Sequence, residues 1–382
     1  MTPALNIYFP GKLVFGNNCL ANLSEEIALL NPQHVLIVTI TPLLAKLDAL
    51  VSQLNSKGIA VDIDTSILQE PSFSDFETLI EKVAPLNPDV VVGIGGGSVL
   101  DIAKLVAAQL DNTQQLRDYV GIGLLNGRKK KLICVPATAG TGSEASPNAI
   151  LVDDTDHQKK GIISPFLVPD IIYVDPLLTI SVPPQITAAT GLDALTHCLE
   201  AYTNKFSQPF IDMFAYEGMR LIAANIVTAV KDGANEEARE KVAMGSLLGG
   251  FCLGPVNTAG VHALSYPLGS TFHLAHGLSN ALLLPYVMEY NIEADATKYE
   301  RIAEVLGAEK KTTARATALE GVKIIKQLIA DCGLPTTLGE AGVNEDSITL
   351  LAEGAIKVQR LLKNNIREIA VEDAVAIYQS AF

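Results

Sequence analysis

Charge is scarce in this 382-residue chain: Asp, Glu, Lys and Arg make up 18% of it, against 48% hydrophobic residues. That excludes a disordered chain, which needs high charge and few apolar residues. A single core rarely grows to this length, so the expectation is a well-buried protein of two domains. Basic residues are scarcer still, 28 Lys and Arg against 42 Asp and Glu, a net charge of −14. The balance speaks against nucleic acid or an anionic membrane as partner, and any bound phosphate must sit in a local trap. The cysteines, Cys19, Cys134, Cys198, Cys252 and Cys332, are odd in number, scattered and without a C-x-x-C pair. Reduced thiols and a cytoplasmic setting are expected. The stretch Met1-Thr-Pro-Ala-Leu-Asn6 lacks the basic and apolar regions of an export signal. Residues 243–288 contain no Asp, Glu, Lys or Arg, but Asn257, three histidines, Pro255 and Pro267 interrupt them. They read as buried interior rather than a membrane span, and buried histidines there need a reason.

The first half alternates short β-branched runs with helical periods. Strands are expected at Val35 to Thr39, Ile59 to Asp64, Val90 to Ile94, Leu132 to Val135 and Ile171 to Val174. Helices are expected at Pro42 to Leu54, Asp75 to Val83 and from Ser98 onward. This order predicts a mostly parallel, doubly wound α/β sheet. After Pro183-Pro184 strand-like runs almost disappear and helical periods such as Ala188 to Thr203 and Glu236 to Leu248 take over. A dinucleotide-binding domain over 1–183 and an all-α domain over 184–382 are the expectation.

Two glycine-rich turns in the first half suit a phosphate. Val90-Val-Val-Gly-Ile-Gly-Gly-Gly-Ser98 runs a strand into three glycines and a helix, whose free N–H groups and positive dipole end attract an anion. Ser98 with Asp101 has capping-box spacing. Pro136-Ala-Thr-Ala-Gly-Thr-Gly-Ser-Glu144 follows another strand and offers the hydroxyls of Thr138, Thr141 and Ser143. Both turns belong at the carboxyl edge of one sheet, where open α/β folds bind ligands, and a dinucleotide fits. The G-x-G-x-x-G fingerprint is missing from Val38-Thr-Ile-Thr-Pro42, so NAD and NADP both remain open.

In the second half, His197, His262, His273 and His276 cluster in a stretch poor in charge. Asp193 and His197 stand four apart, on one helix face a turn from each other. Apolar neighbours surround the pair, and a divalent cation offsets the cost of burying the carboxylate. His262 and His276 supply a second pair, and the mixed O/N set suits Fe²⁺ or Zn²⁺ better than Mg²⁺ or Ca²⁺. Spacing alone does not decide between His273 and His276, one helical turn apart.

Four stretches together resemble the iron-dependent (group III) alcohol dehydrogenase family, in order and over essentially the whole chain. They are Gly95-Gly-Gly-Ser98 with Asp101, Pro136 to Glu144, Ala189-Thr-Gly-Leu-Asp-Ala-Leu-Thr-His197, and Val261 to Gly269 with His276 to Pro285. The resemblance implies a dehydroquinate synthase-like architecture, a dinucleotide-binding α/β domain followed by a helical one. It implies Asp193, His197, His262 and His276 as metal ligands, for Fe²⁺ with Zn²⁺ as the alternative. It implies NAD or NADP with its pyrophosphate on Gly96, Gly97 and Ser98, and with Gly95 and Asp101 among the cofactor-binding residues of that turn. Thr138, Thr141 and Ser143 would line the cofactor groove, with Lys159 and Leu178 near the ribose and nicotinamide. A homodimer is also implied, through an N-terminal strand such as Ile7 to Phe9.

Two departures from the family pattern stand out. Where many members carry a histidine four residues after the third ligand, this chain has Tyr266, so the proton path runs through the Tyr266 hydroxyl, through His273, or from a metal-bound alkoxide by way of the cofactor ribose to water. Where NAD-preferring members tend to carry an aspartate, it has Ile40. The expected reaction is metal-assisted hydride transfer between a small uncharged alcohol or aldehyde and NAD(P). The rivals are a hydroxyacid–oxoacid transhydrogenase, a non-redox lyase like dehydroquinate synthase, and a catalytically silent nucleotide-binding protein, which has no need of the ligand set.

Overall fold

Residues 5–67 and 70–382 are described by a computed structural model. Met1 to Ala4, part of the stretch read above for an export signal, lie outside the described residues. These residues divide into two compact units, Ile7–Thr138 with Ser143–Thr179, and Ile180–Phe382 with Ala139–Gly142.

The first unit contains strands β1 (Lys12–Phe15), β2 (His34–Val38), β3 (Ala60–Asp64), β4 (Val90–Gly95), β5 (Gly121–Ile122), β6 (Lys131–Pro136), β7 (Asn148–Asp153), β8 (Gln158–Ile163) and β9 (Ile171–Val174). Its helices are α1 (Leu23–Leu29), α2 (Leu44–Ser56), α3 (Phe73–Val83) and α4 (Gly97–Gln109). Six strands form one sheet in the order β1-β9-β6-β4-β2-β3, every neighbouring pair parallel. Its central strands are buried on both faces. Val35, Ile37, Val92, Ile94, Ile133 and Val135 enter one cluster, while Leu36, Val38, Val91, Leu132 and Cys134 are buried as well. Two-sided burial is why these strands read as continuous apolar runs without alternation.

Ile7 to Phe9 do not form the expected strand; residues 5–10 carry no regular structure and the first strand is β1. Pro10 lacks an N–H for a ladder, and a Cβ on Gly11 would meet the Asp170 carbonyl oxygen at 2.8 Å. A feature unread in the sequence is the antiparallel hairpin β7–β8, to which β5 adds a parallel edge. Its turn runs through Asp153 to Gln158, with His157 left-handed at φ 54°.

The second unit is helical: α5 (Pro184–Thr203), α6 (Pro209–Lys231), α7 (Glu236–Leu253), α8 (Gly260–Phe272), α9 (His276–Ile292), α10 (Ala296–Val305), α11 (Ala314–Asp331), α12 (Ile348–Ile356), α13 (Gln359–Leu362) and α14 (Val371–Ser380). The charge-free run 243–288 becomes the second half of α7, all of α8 and most of α9, and is largely buried. No helix among the described residues is long and apolar enough to cross a membrane.

Candidate metal and cofactor sites

Helix α5 has a buried polar face inside an apolar environment. Asp193, His197 and Glu200 stand at helical spacing, each at most 5% exposed. Helix α8 brings His262, and the first residue of α9 is His276. α9 can start against α5 only because residue 277 is glycine: a Cβ there would lie 2.2 Å from the Ala189 carbonyl oxygen. Oδ1 of Asp193 is consequently 3.8 Å from Nε2 of His197, 3.6 Å from Nε2 of His262 and 3.7 Å from Nε2 of His276. Asp193, His262 and His276 each place a ligand atom within 4.8 Å of the other two, and His197 falls outside that trio. The His197 ring stacks on His262, centroids 4.8 Å apart and planes at 19°.

One ion held at the usual Zn–N and Zn–O lengths by a tetrahedral set puts neighbouring ligand atoms about 3.4 Å apart. The observed spacings to Asp193 lie just above that, so the donor set fits a divalent cation. Electrostatics agree. Burial alone pushes the Asp193 carboxyl up, but the three imidazoles outweigh it and hold it well below the usual carboxylate range. Burial lowers His197, with Asp193 opposing. His262 is also pushed down by burial, yet Glu200 and Asp193 reverse this and raise it to about 10.

Two residues of this centre were missed in the sequence. Asn280, one turn after His276, donates its amide to Asp193 Oδ1 at 2.7 Å, and the same nitrogen lies 3.1 Å and 3.3 Å from Nε2 of His262 and His276. Glu200 sits 2.6 Å from Nδ1 of His262. Both were findable, since Asn280 is four residues from His276 and Glu200 three from His197 on a shared helix face. Tyr266 stands beside the centre, its ring 6.1 Å from that of His276. His273 does not join it: the residue is exposed at the end of α8, left-handed at φ 55°. A cavity of about 510 Å³ reaches Asp193 and His276 and is walled by Thr141, Ile186, Ala189, Leu278 and Leu334 among others. Among its lining residues Asp193 is the only carboxylate, and there is no Lys or Arg.

The glycine turn lies in the other unit. The strand order reverses direction between β2 and β4, the kind of switch point where open α/β sheets leave a crevice. Thr39 at the end of β2 donates its hydroxyl to the Ile94 carbonyl, tying the two strand ends together. Directly after β4, Gly96 stands ahead of α4 with extended backbone, and the first N–H groups of α4 have no carbonyl four residues back. A Cβ on Gly95 would lie 2.8 Å from Cβ of Val99, so the turn stays tight only with glycine.

The capping box expected from Ser98 and Asp101 is not formed, because α4 begins at Gly97, two residues earlier than a Ser98 cap requires, and its cap is Gly96. Asp101 instead accepts from Ser143 Oγ at 2.5 Å and from the Ile150 N–H at 2.9 Å. Lys104, fully buried, donates to Ser143 Oγ, Ser146 O and Asn148 O at 2.8 to 3.0 Å. Ser143 and Asp101 thus belong to a buried network that fastens 143–150 to α4. Of the other expected cofactor residues, Thr138 lies beside Gly96 and Thr141 on the metal-side cavity. Leu178 lines a cavity of about 300 Å³ with Asn18, Lys46 and Asp175, and Lys159, on β8, is paired with Glu70.

With this geometry in view, known proteins give a consistent match. Residues 10–176 match the family described as iron-containing alcohol dehydrogenase, and residues 187–382 match the Fe-containing alcohol dehydrogenase family, C-terminal. Long-chain-alcohol dehydrogenase 1 of Geobacillus thermodenitrificans is 38% identical over 98% of this chain and 96% of its own length. A crystal structure of 1,3-propanediol oxidoreductase superposes with a TM-score of 0.95 at 33% identity, covering 100% of both chains. Sulfoacetaldehyde reductase from Bifidobacterium kashiwanohense in complex with NAD⁺ gives 0.89 at 26% identity over 99% of each. The chain belongs to the iron-containing alcohol dehydrogenase family. Its activity is that of an oxidoreductase on CH–OH groups, alcohol dehydrogenase in one direction and aldehyde reductase in the other.

Proposed function

We propose that Asp193, His197, His262 and His276 hold one Fe²⁺ or Zn²⁺, and that the glycine turn Gly95–Ser98 takes the pyrophosphate of NAD or NADP. The observation that carries this reading is the convergence of a buried carboxylate and three imidazoles at 3.6 to 3.8 Å. Held by Asp193, His197, His262 and His276, a divalent ion would supply Lewis acidity toward the alcohol or carbonyl oxygen, and the nucleotide would supply the hydride chemistry. Asp193 and the imidazoles would fix the ion's position, Asn280 orients Asp193, and the proton role is assigned to Tyr266, whose ring lies 6.1 Å from that of His276. The sheet-bearing unit serves as the nucleotide domain and the helical unit as the metal domain.

The substrate we assign is a small uncharged alcohol or aldehyde. A cavity that reaches two of the ligands without Lys or Arg in its lining offers no anchor for a carboxylate. Ile40, where an acid would repel a 2′-phosphate, leaves both NADP and NAD usable. The five cysteines are all free and buried, which suits a cytoplasmic enzyme. A homodimer contact belongs at the open edge of the sheet, where Tyr8, Phe9 and Leu13 are exposed beside edge strand β1.

The test is oxidation of NADH and NADPH with a panel of aldehydes and 2-oxoacids, after reloading metal-stripped protein with Fe²⁺ or Zn²⁺. Metal-dependent turnover of aldehydes that is lost in His262→Ala is expected. Tight nucleotide binding without oxidation under either metal would overturn the dehydrogenase reading.

A further inference from the structure

Glu200 is 3% exposed, yet it is not one of the four proposed ligands, and among the described residues it forms no pair with Lys or Arg. Its partners are all donors from the start of α8. Oε2 accepts from the Ala259 N–H at 3.0 Å, and Oε1 from the Val261 N–H at 2.6 Å and the His262 N–H at 3.4 Å. Helix α8 has no side-chain cap of its own, so a carboxylate from α5 serves in that place, where an anion is favoured by the helix dipole.

The same Oε2 lies 2.6 Å from Nδ1 of His262. A carboxylate engaged with backbone N–H groups is an acceptor, so a bare Nδ1 lone pair at that distance would be repelled; Nδ1 must carry a proton. The neutral ring then has its lone pair on Nε2, the atom 3.6 Å from Asp193 Oδ1. One carboxylate thereby sets both the height of α8 against α5 and the tautomer in which His262 can ligate.

We propose that Glu200 is a positioning residue for the metal centre, holding His262 as the Nδ1–H tautomer with Nε2 free to coordinate. The proposal rests on the metal reading given under Proposed function. Glu200→Gln divides the two oxygens. Its amide oxygen in place of Oε1 still accepts from the Val261 and His262 N–H groups, whereas the NH₂ group in place of Oε2 loses the Ala259 N–H bond and, turned to Nδ1, drives the proton to Nε2, where it blocks coordination.

The measurements are Zn²⁺ affinity by competition with a chromophoric chelator, the visible spectrum of the Co²⁺-loaded protein, and the thermal midpoint without metal, for wild type, Glu200→Gln and Glu200→Ala. Outer partners of ligating histidines are worth about 10- to 100-fold in metal affinity. Glu200→Gln is expected to lose that much Zn²⁺ affinity and to shift the Co²⁺ bands, while a metal-free fold persists. Zn²⁺ affinity within about twofold of wild type and an unchanged Co²⁺ spectrum would overturn the proposal, leaving Glu200 a helix cap only. If neither variant folds, ¹⁵N shifts of the histidine rings in Zn²⁺-loaded wild type decide the matter, since an unprotonated Nδ1 on His262 overturns it equally. Failure of wild type itself to bind Zn²⁺ would remove the metal reading, an outcome separate from either result on Glu200.

Discussion

Oδ1 of Asp193 lies 3.6 Å from Nε2 of His262, with both side chains 3% exposed. Two such groups, brought from α5 and α8, are too far apart for a direct hydrogen bond and too well buried for free water to be the natural partner. Asn280 brings its amide nitrogen to 2.7 Å from the one and 3.1 Å from the other, and the spacing suits the shared ion proposed above.

Asp193→Asn keeps the shape of this side chain and removes its charge. A metal that binds only the folded state stabilises it by about 4 kcal/mol when free metal exceeds the dissociation constant a thousandfold. Wild type is therefore expected to gain several degrees in thermal midpoint on Zn²⁺ addition, and the variant almost none. Equal gains in both proteins, measured by differential scanning fluorimetry, would show that the ion binds elsewhere.

Tyr266 lies one helical turn after His262 on α8. Its ring is 6.1 Å from that of His276, whereas His273 is exposed at the end of α8. Tyr266→Phe keeps the ring and deletes the hydroxyl. If that hydroxyl moves the proton, kcat falls by about 10²-fold with Zn²⁺ affinity unchanged, and His273→Ala leaves kcat as it was. The opposite pattern would assign the proton to His273.

The half of the site that was legible in the sequence is the half carried by helical spacing. Asp193 and His197 share a face of α5, and the charge-free run around His262 and His276 marked a buried place with polar residues in it. What was not legible depends on packing between helices. No spacing says that Gly277 lets α9 approach the Ala189 carbonyl, which draws His276 into the centre and leaves His273 outside. Ser143 and Asp101 read as ligand-facing hydroxyl and cap, but the burial of Lys104 claims both. The β7–β8 hairpin went unread because its turn, Asp153-Asp-Thr-Asp-His-Gln158, is as polar as any loop. Parallel strands buried on both faces gave the clearest signal, since nothing interrupts their apolar runs.

Ile40 ends the extended stretch after β2, next to the crevice that the glycine turn faces at the switch point. Ile40→Asp places a carboxylate where a 2′-phosphate would lie. Repulsion of that kind is expected to lower kcat/KM with NADPH at least about tenfold, equivalent to 1.4 kcal/mol, while the value with NADH holds or rises. Equal losses with both cofactors would show that Ile40 supports the fold there and does not select the nucleotide.

Glu144 is 3% exposed in the turn that follows the second glycine-rich loop. Burial pushes its carboxyl up to about 7, with backbone hydrogen bonding and Lys104 acting the other way. In the unfolded chain the group titrates near 4.5. Between those values the folded state binds the proton more tightly than the unfolded state does, so stability falls as pH rises from about 4.5 to 7 and levels off above. The accumulated loss is about 3 kcal/mol at most. Glu144→Gln, neutral at every pH, is accordingly expected to match wild type near pH 4.5 and to exceed it by up to that amount at pH 8. Urea unfolding of both proteins at the two pH values measures the difference. A variant less stable than wild type at pH 8 would mean that the carboxylate is charged in the fold, with the attraction of Lys104 outweighing its burial.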